Sequence, residues 1–283
     1  MARKSAEERR AIIALLTDFS WHNWYLGVMK GVITGINPDV RVIDLCHDVS
    51  SQDVREGSFI LSNSFTYFPR GTIFLCVVDP GVGTKRKNIV VRTEDHYFVG
   101  PDNGILSAVF EKAKVEKAFQ VEPGEYTLPV KGSTFFGRDI FAPIAAHLSR
   151  GVQPEEMGEE LTSVLIVPAS KPSENKKGEV LGRAVYIDAF GNIITNIEED
   201  YLRSVYGEGL DQVRVRLAGR TIKGVGRYYA QGEEGMLIAL INSWGYLEVA
   251  INKGSAWREL GLKEKKSLEI LVFSDRAASE AAD

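Results

Sequence analysis

The stretch "CVVDPGVGTKRKNIVVR", Cys76–Arg92, joins two strand-like runs across a glycine turn. The first run, "TIFLCVVD", is continuously apolar and rich in β-branched and aromatic residues, the composition of a strand buried on both faces. It ends on an acid, Asp79, and Arg86 follows seven residues later. A strand of this kind belongs to a parallel sheet covered by helices, and the flanking sequence alternates accordingly. Upstream, "AIIALLTDF" and "VRVIDLC" read as strands, while "NWYLGVMKGVITGI" and "SQDVREGSFILSNSFTYF" read as helices. Downstream come the strand "NIVVRTE", the turn "GPDNG" and helical patterns at "GILSAVFEKA" and "RDIFAPIAAHLSRG", the last closed by Gly151. The alternation predicts an α/β N-terminal domain with a mostly parallel sheet over residues 1–168.

The segment "ASKPSENKKGE" is polar and holds proline and glycine, so residues 169–180 read as a linker. Over residues 181–283 the pattern changes to short strands between turns: "RAVYIDAFGNIITNI", "QVRVRLAGRTIKGVG", "GMLIALINSWGYLEVAIN" and "SLEILVF". This half is predicted to be all-β and antiparallel, with the tail "DRAASEAAD" frayed or a short helix.

Of the 283 residues, 44% are hydrophobic and 25% charged, which suits a globular protein with a sizeable core. A net charge of -4, with basic residues interspersed among acids, gives no footprint for nucleic acid or an anionic membrane. No apolar run approaches the ~20 residues of a membrane span, and "MARKSAEERR" lacks the apolar centre of a secretory signal, so a cytoplasmic location is expected. Cys46 and Cys76 lie inside apolar runs, where free cysteine acts as a small hydrophobe rather than a metal ligand.

Ligands of open parallel sheets bind outside the carboxyl ends of strands. Two acids sit at such ends, Asp18 in "ALLTDFS" and Asp79 in "CVVDPGVG". Each also suits a plainer role, Asp18 as a helix cap and Asp79 as a turn former. "GVGTKR" lacks the Gly-Lys-Ser/Thr ending of a phosphate-cradling loop. In the second half, Asp188, Asn192, Asn196, Asn242, Ser243 and Asn252 gather beside glycines. Their amides and oxygens can read the edges of a ligand or simply close turns.

Several motifs in fixed order carry a resemblance over nearly the whole length: "LTDFSWHNWYLGVMKGVI", "VVDPGVGTKRK", "GPDNGIL", "STFFGRDIFAP", "DAFGNIITNI" and "NSWGYLEVA". The sequence resembles the S-adenosyl-L-methionine hydrolases (hydroxide adenosyltransferases), relatives of the bacterial fluorinase and chlorinase. The resemblance implies an α/β domain followed by a C-terminal β-barrel, assembled as a homotrimer. The substrate, S-adenosyl-L-methionine, would lie between the N-domain of one subunit and the C-domain of its neighbour, without metal or further cofactor. Water would attack ribose C5′, giving adenosine and methionine. Asp79 would orient or deprotonate the water, with Arg86 as its counter-charge, and the halogenating relatives carry Tyr at the position of Asp79. The resemblance further assigns Asp18 to the ribose hydroxyls and Asn192 to the adenine edge. Phe135, Phe190 and Tyr228 become stacking surfaces, and Asp188 and Ser243 hold the amino-acid end.

This sequence departs from that pattern at four places. Phe136 stands at the histidine of the usual "FHGRD", so the Asp-Arg-His set is incomplete, although Phe136 still belongs among the substrate-contacting positions. Ser20 replaces a glycine, Asn23 replaces an aspartate of the substrate site, and Trp244 stands where halogenases carry arginine. His22 and His47 are the histidines available to compensate.

Overall fold

A computed structural model of the chain describes residues 10–265 and 268–274. The tail "DRAASEAAD", Asp275–Asp283, lies outside the described residues. The chain divides into two compact units between Ala169 and Ser170.

The first unit runs β1 (Ile12–Thr17), α1 (Tyr25–Ile36), β2 (Arg41–Cys46), α2 (Val54–Ser62), β3 (Ile73–Val77), β4 (Asn88–Thr93), β5 (Tyr97–Pro101), α3 (Ser107–Phe110), β6 (Val115–Val121), α4 (Ala142–Ser149), α5 (Pro154–Met157) and β7 (Gly158–Glu160). Its sheet has the order β2-β1-β3-β5-β4-β6-β7. The pairs β2/β1, β1/β3 and β3/β5 are parallel, and β5/β4, β4/β6 and β6/β7 are antiparallel. The sheet is therefore mixed, with only β4 and β7 running against the common direction.

Successive side chains of a strand point to opposite faces, and β1 shows why its run is apolar throughout. Ile13 and Leu15 enter one core with Met29 and Ile33 of α1 and Ile144 of α4. Ala14 and Leu16 enter the other with Leu61 of α2, Phe74 and Cys76 of β3 and Val109 of α3. Cys76 is fully buried, and both cysteines are free. The helix pattern at "GILSAVFEKA" shrinks to the four residues of α3. β5, of which only the turn "GPDNG" was read, and β6, whose "VEKAFQV" carries Glu116 and Lys117 near its start, escaped the sequence reading.

The chain leaves β1 to pair β2 on one side and returns to pair β3 on the other. This reversal is the topological switch point at which open α/β sheets form a crevice. Asp18 directly follows β1 and Asp79 stands two residues past β3, so the parallel pairing of Thr17 with Val77 brings both acids to the same edge.

The second unit runs β8 (Ser173–Glu174), β9 (Val180–Ile187), β10 (Ile193–Glu198), α6 (Glu199–Tyr206), β11 (Val213–Leu217), β12 (Arg220–Lys223), β13 (Leu237–Ile241), β14 (Tyr246–Ile251), α7 (Ala256–Glu259) and β15 (Glu269–Ser274). The strand order is β12-β11-β15-β9-β10-β14-β13, with β8 on β9, and all these pairs are antiparallel. A bridge between Gly226, just past β12, and Leu240 of β13 brings the ends of the sheet nearly to closure. Inward residues such as Val215, Val249, Ile251, Ile270 and Val272 form its core.

Two features correct the sequence reading. The second half is not all-β, because "EDYLRSVY" folds as α6 with Leu202 buried against the sheet core, and α7 follows β14. The stretch read as a linker contributes β8, whose Ser173 and Glu174 pair with Leu181 and Val180.

Candidate functional site

At the carboxyl end of β3 the Asp79 side chain is only 5% exposed and Arg86 only 9%. Arg86 Nε donates to Asp79 Oδ1 at 2.8 Å and Nη2 donates to Oδ2, a bidentate pair. Nη1 donates to Asn88 Oδ1 at 2.6 Å and to the Lys87 carbonyl at 3.1 Å. Asn88 is itself buried and donates to the Val121 carbonyl, so the guanidinium is pinned from the head of β4. The glycine turn permits this return. Gly83 sits at φ +78°, and a Cβ there would come within 2.5 Å of the Ser133 carbonyl oxygen. A carboxylate so held is an acceptor aimed by its partner, suited to orient a water or take a proton from it.

Asp18 is half-buried and its Oδ2 accepts the Gln52 N–H at 2.8 Å. Burial pushes its carboxyl up, the Gln52 N–H opposes this, and the nearby charge of Asp79 adds to the rise. Asn103 of the "GPDNG" turn donates to the Val78 carbonyl at 2.8 Å, bringing the end of β5 to the same edge. Ser20 sits at φ +61°, the left-handed region a glycine enters without strain. Asn23 is exposed, and its Nδ2 donates back to the Phe19 carbonyl at 2.6 Å.

Neither histidine takes the place left by Phe136. His47 is fully buried, with Nδ1 2.9 Å from Thr17 Oγ1 and Nε2 2.9 Å from Asp44 Oδ1, and Lys30 completes the network on Asp44. Burial pushes the imidazole down, so this ring braces the ends of β1 and β2. His22 lies exposed in the turn before α1.

Phe136 instead faces the arginine, with the Arg86 guanidinium carbon 5.4 Å from its ring centroid and equally 5.4 Å from that of Phe141. Phe135 turns away from this pair, packing edge-on against Phe19 and Tyr25 and under the Arg138 guanidinium. Sequence reasoning missed Asn88 and Phe141. Asn88 carried a signal, a lone amide opening an otherwise apolar strand; Phe141 carried none, since five-residue spacing places it off the face of Phe136 in an α-helix.

In the second unit, Asp188, Phe190 and Asn192 share the β9–β10 turn. Asp188 Oδ1 accepts the N–H groups of Phe190 and Asn192, each at 2.9 Å, and Oδ2 accepts Asn192 Nδ2 at 2.9 Å. Gly191 stands at φ +84°, and a Cβ there would lie 2.0 Å from Ser255 Oγ. The turn leaves Phe190 77% exposed while Asn192 is buried. Tyr228 and Trp244 are also exposed. Asn242 Oδ1 accepts the N–H groups of Trp244 and Tyr246, shaping the turn that presents Ser243. Behind it, buried Glu248 accepts from Tyr229 Oη at 2.8 Å and Asn242 Nδ2 at 3.1 Å, and burial pushes its carboxyl up.

Among the described residues no group of His, Cys, Asp and Glu side chains has the arrangement to hold a metal ion, and no helix is long and apolar enough to cross a membrane.

Comparison with known proteins assigns the family. Residues 13–158 match the SAM hydroxide adenosyltransferase N-terminal domain and residues 182–269 match the SAM hydroxide adenosyltransferase C-terminal domain. The chain is 37% identical to an (R)-S-adenosyl-L-methionine hydrolase of Thermus thermophilus, covering 92% of this chain and 99% of that one. It is 33% identical to an (R)-S-adenosyl-L-methionine hydrolase of Methanocaldococcus jannaschii, covering 92% and 95%. The crystal structure of an uncharacterized conserved protein from Thermotoga maritima superposes with a TM-score of 0.83 at 40% identity, covering 92% and 99%. With both halves matched in order, the chain belongs to the SAM hydroxide adenosyltransferase family.

Proposed function

We propose that this protein hydrolyses S-adenosyl-L-methionine to adenosine and L-methionine. The observation that carries the reading is the carboxylate of Asp79, nearly hidden from water and gripped bidentately by Arg86 at the switch-point crevice. Water oxygen bonds to ribose C5′ as the C5′–S bond breaks, its electron pair staying on sulfur, so methionine leaves as a neutral thioether. The water proton goes to Asp79 and from there to solvent. A positioned base contributes ~10²–10⁴-fold, and alignment of water with the C–S bond several kcal/mol more. A buried carboxylate also argues against a halide nucleophile, since two anions in a poorly solvated site repel strongly.

Asp18 takes the ribose hydroxyls and Asn192 the adenine edge, with Phe135, Phe190 and Tyr228 as stacking surfaces. Asp188 and Ser243 hold the amino-acid end, Asn23 contributes from the N-terminal unit, and Phe136 lines the site beside Arg86. Asp188 carries three hydrogen bonds within its own turn, and a carboxylate has about four acceptor positions, so one remains for a ligand ammonium. We further propose a homotrimer in the cytoplasm in which residues 1–168 of one subunit and 181–283 of its neighbour share the substrate, the arrangement the resemblance implies, with no cofactor beyond the substrate.

A second reading, a protein that binds S-adenosylmethionine without turning it over, is favoured by one observation: the Phe136 phenyl offers no hydrogen bond where the family pattern has histidine. One assay separates the two. Purified protein is incubated with each sulfonium epimer of S-adenosyl-L-methionine, since the relatives are named for the (R) form. Chromatographic release of adenosine without added halide supports hydrolysis; saturable binding without adenosine supports the second reading.

A further inference from the structure

We propose that Phe141, acting with Phe136, is a positioning residue that holds the Arg86 guanidinium against Asp79, and that the π-turn Gly137–Phe141 is the backbone device that brings the two rings to one cation. The proposal deepens the hydrolase reading and rests on it for its kinetic part. Its basis is a contact pattern periodicity cannot produce. Phe136 and Phe141 are five residues apart, and five residues make about 1.4 turns of an α-helix, which sends the two side chains to different faces. Here the Ala142 N–H reaches back to the Gly137 carbonyl, an i→i+5 bond that inserts one extra residue into the turn. The wider turn lets both rings reach the guanidinium carbon at 5.4 Å.

The surroundings give these contacts weight. Phe141 is fully buried, and Arg86 is 9% exposed, so the cation has exchanged most of its water for the rings and its hydrogen bonds. An arginine over an aromatic face gains more as it is desolvated. The hydrogen bonds to Asp79 and Asn88 fix the guanidinium by its N–H edges. The rings attract the cation through their π faces, so they restrain it without competing for donors. With a phenyl at position 136, the cation is held by two aromatic faces.

The test replaces Phe141 with mono-, di- and trifluorophenylalanine by site-specific incorporation, and repeats the series at Phe136. Fluorine drains the ring face of negative charge while changing its size little. The expected result is a stepwise fall in kcat for adenosine formation, about three- to tenfold at the trifluoro stage. In the Phe141 series KM should stay within about twofold, because that fully buried ring acts on the arginine and not on uniform substrate binding. In parallel, the Arg86 Nε–H resonance, assigned by its loss in Arg86→Lys, should move stepwise along the series. Flat kcat across both series, or an unmoved Arg86 resonance, would overturn the proposal. Stepwise movement of the resonance with no adenosine formed by the parent protein would support the grip on Arg86 while sinking the hydrolase reading, so the two failures are distinct.

Discussion

Arg86 holds Asp79 by both carboxylate oxygens, Nε to Oδ1 at 2.8 Å and Nη2 to Oδ2, in a place where each side chain is at least nine-tenths hidden from water. Everything proposed for the reaction depends on this pair keeping its charge and its geometry.

Asp79→Asn should therefore abolish adenosine formation while leaving ligand affinity within roughly tenfold, since the amide keeps the shape and loses the charge and basicity. Rate and equilibrium binding are measured on the same preparation. Turnover at the parent rate would remove Asp79 from the role of water-activating group.

Asp18 gives a stability signature with a defined sign. Its carboxyl is pushed above the ordinary 3.8, first by burial and further by Asp79, so the folded protein holds the proton more tightly than the unfolded chain. Folding stability then falls as pH rises from 3.8 through the raised value, and the loss persists at neutrality. Asp18→Asn keeps an oxygen for the Gln52 N–H and has nothing to ionise. Urea denaturation should find the variant more stable than the parent at pH 7.5, with the advantage shrinking toward pH 4; a pH-independent difference would contradict this.

Phe136→His places a titrating ring beside a fixed guanidinium. The ordinary imidazole value of about 6.5 is lowered by a neighbouring cation, so the ring is neutral at pH 7.5 and takes up a proton on the acid side. The ratio of kcat between variant and parent should fall about tenfold between pH 7.5 and pH 5, as imidazolium and Arg86 repel. Parallel pH profiles would show that the ring at 136 does not face the arginine.

Ser20→Gly should stabilise the fold by about 1 kcal/mol, because Ser20 occupies φ +61° and glycine enters that region without the Cβ conflict. The midpoint of chemical denaturation reports it. A lower midpoint would mean that the greater freedom of glycine in the unfolded chain outweighs the relief.

Gly191→Ala should cost at least ~1–3 kcal/mol, since it adds a Cβ at φ +84° only 2.0 Å from Ser255 Oγ. If the β9–β10 turn carries the adenine-reading residues, adenosine affinity should fall with it. Calorimetry with adenosine measures both the loss of binding and, by its absence, an error in that assignment.

The strands and the acids at their ends were legible because a strand buried on both faces must be apolar throughout, and its end is marked by the first polar residue. That logic located β1, β3 and β4, and with them Asp18 and Asp79; Arg86 was singled out by the ordered motif it belongs to. It failed at β5, whose end was read only as the turn "GPDNG", at β6, where the charged Glu116 and Lys117 interrupt the apolar run, and at α6, whose single deeply buried residue, Leu202, leaves little apolar signal. The turn at Asp188–Asn192 was visible as glycine among amides, but whether those groups face a ligand or one another depends on hydrogen bonds that composition does not specify.

By itself the sequence determined the strands that are apolar throughout, the acids at their ends, and, through ordered motifs, the family. Only the tertiary structure decided which ends are neighbours, because strand order follows from packing helices on both faces of the sheet and not from local pattern. It also decided that His47 is consumed between Thr17 and Asp44, and that Phe141 joins Phe136 on Arg86. The reason is the same in each case. A side chain's partner is set by backbone directions accumulated over many residues, and a single i→i+5 turn is enough to re-aim a ring that a regular helix would have pointed elsewhere.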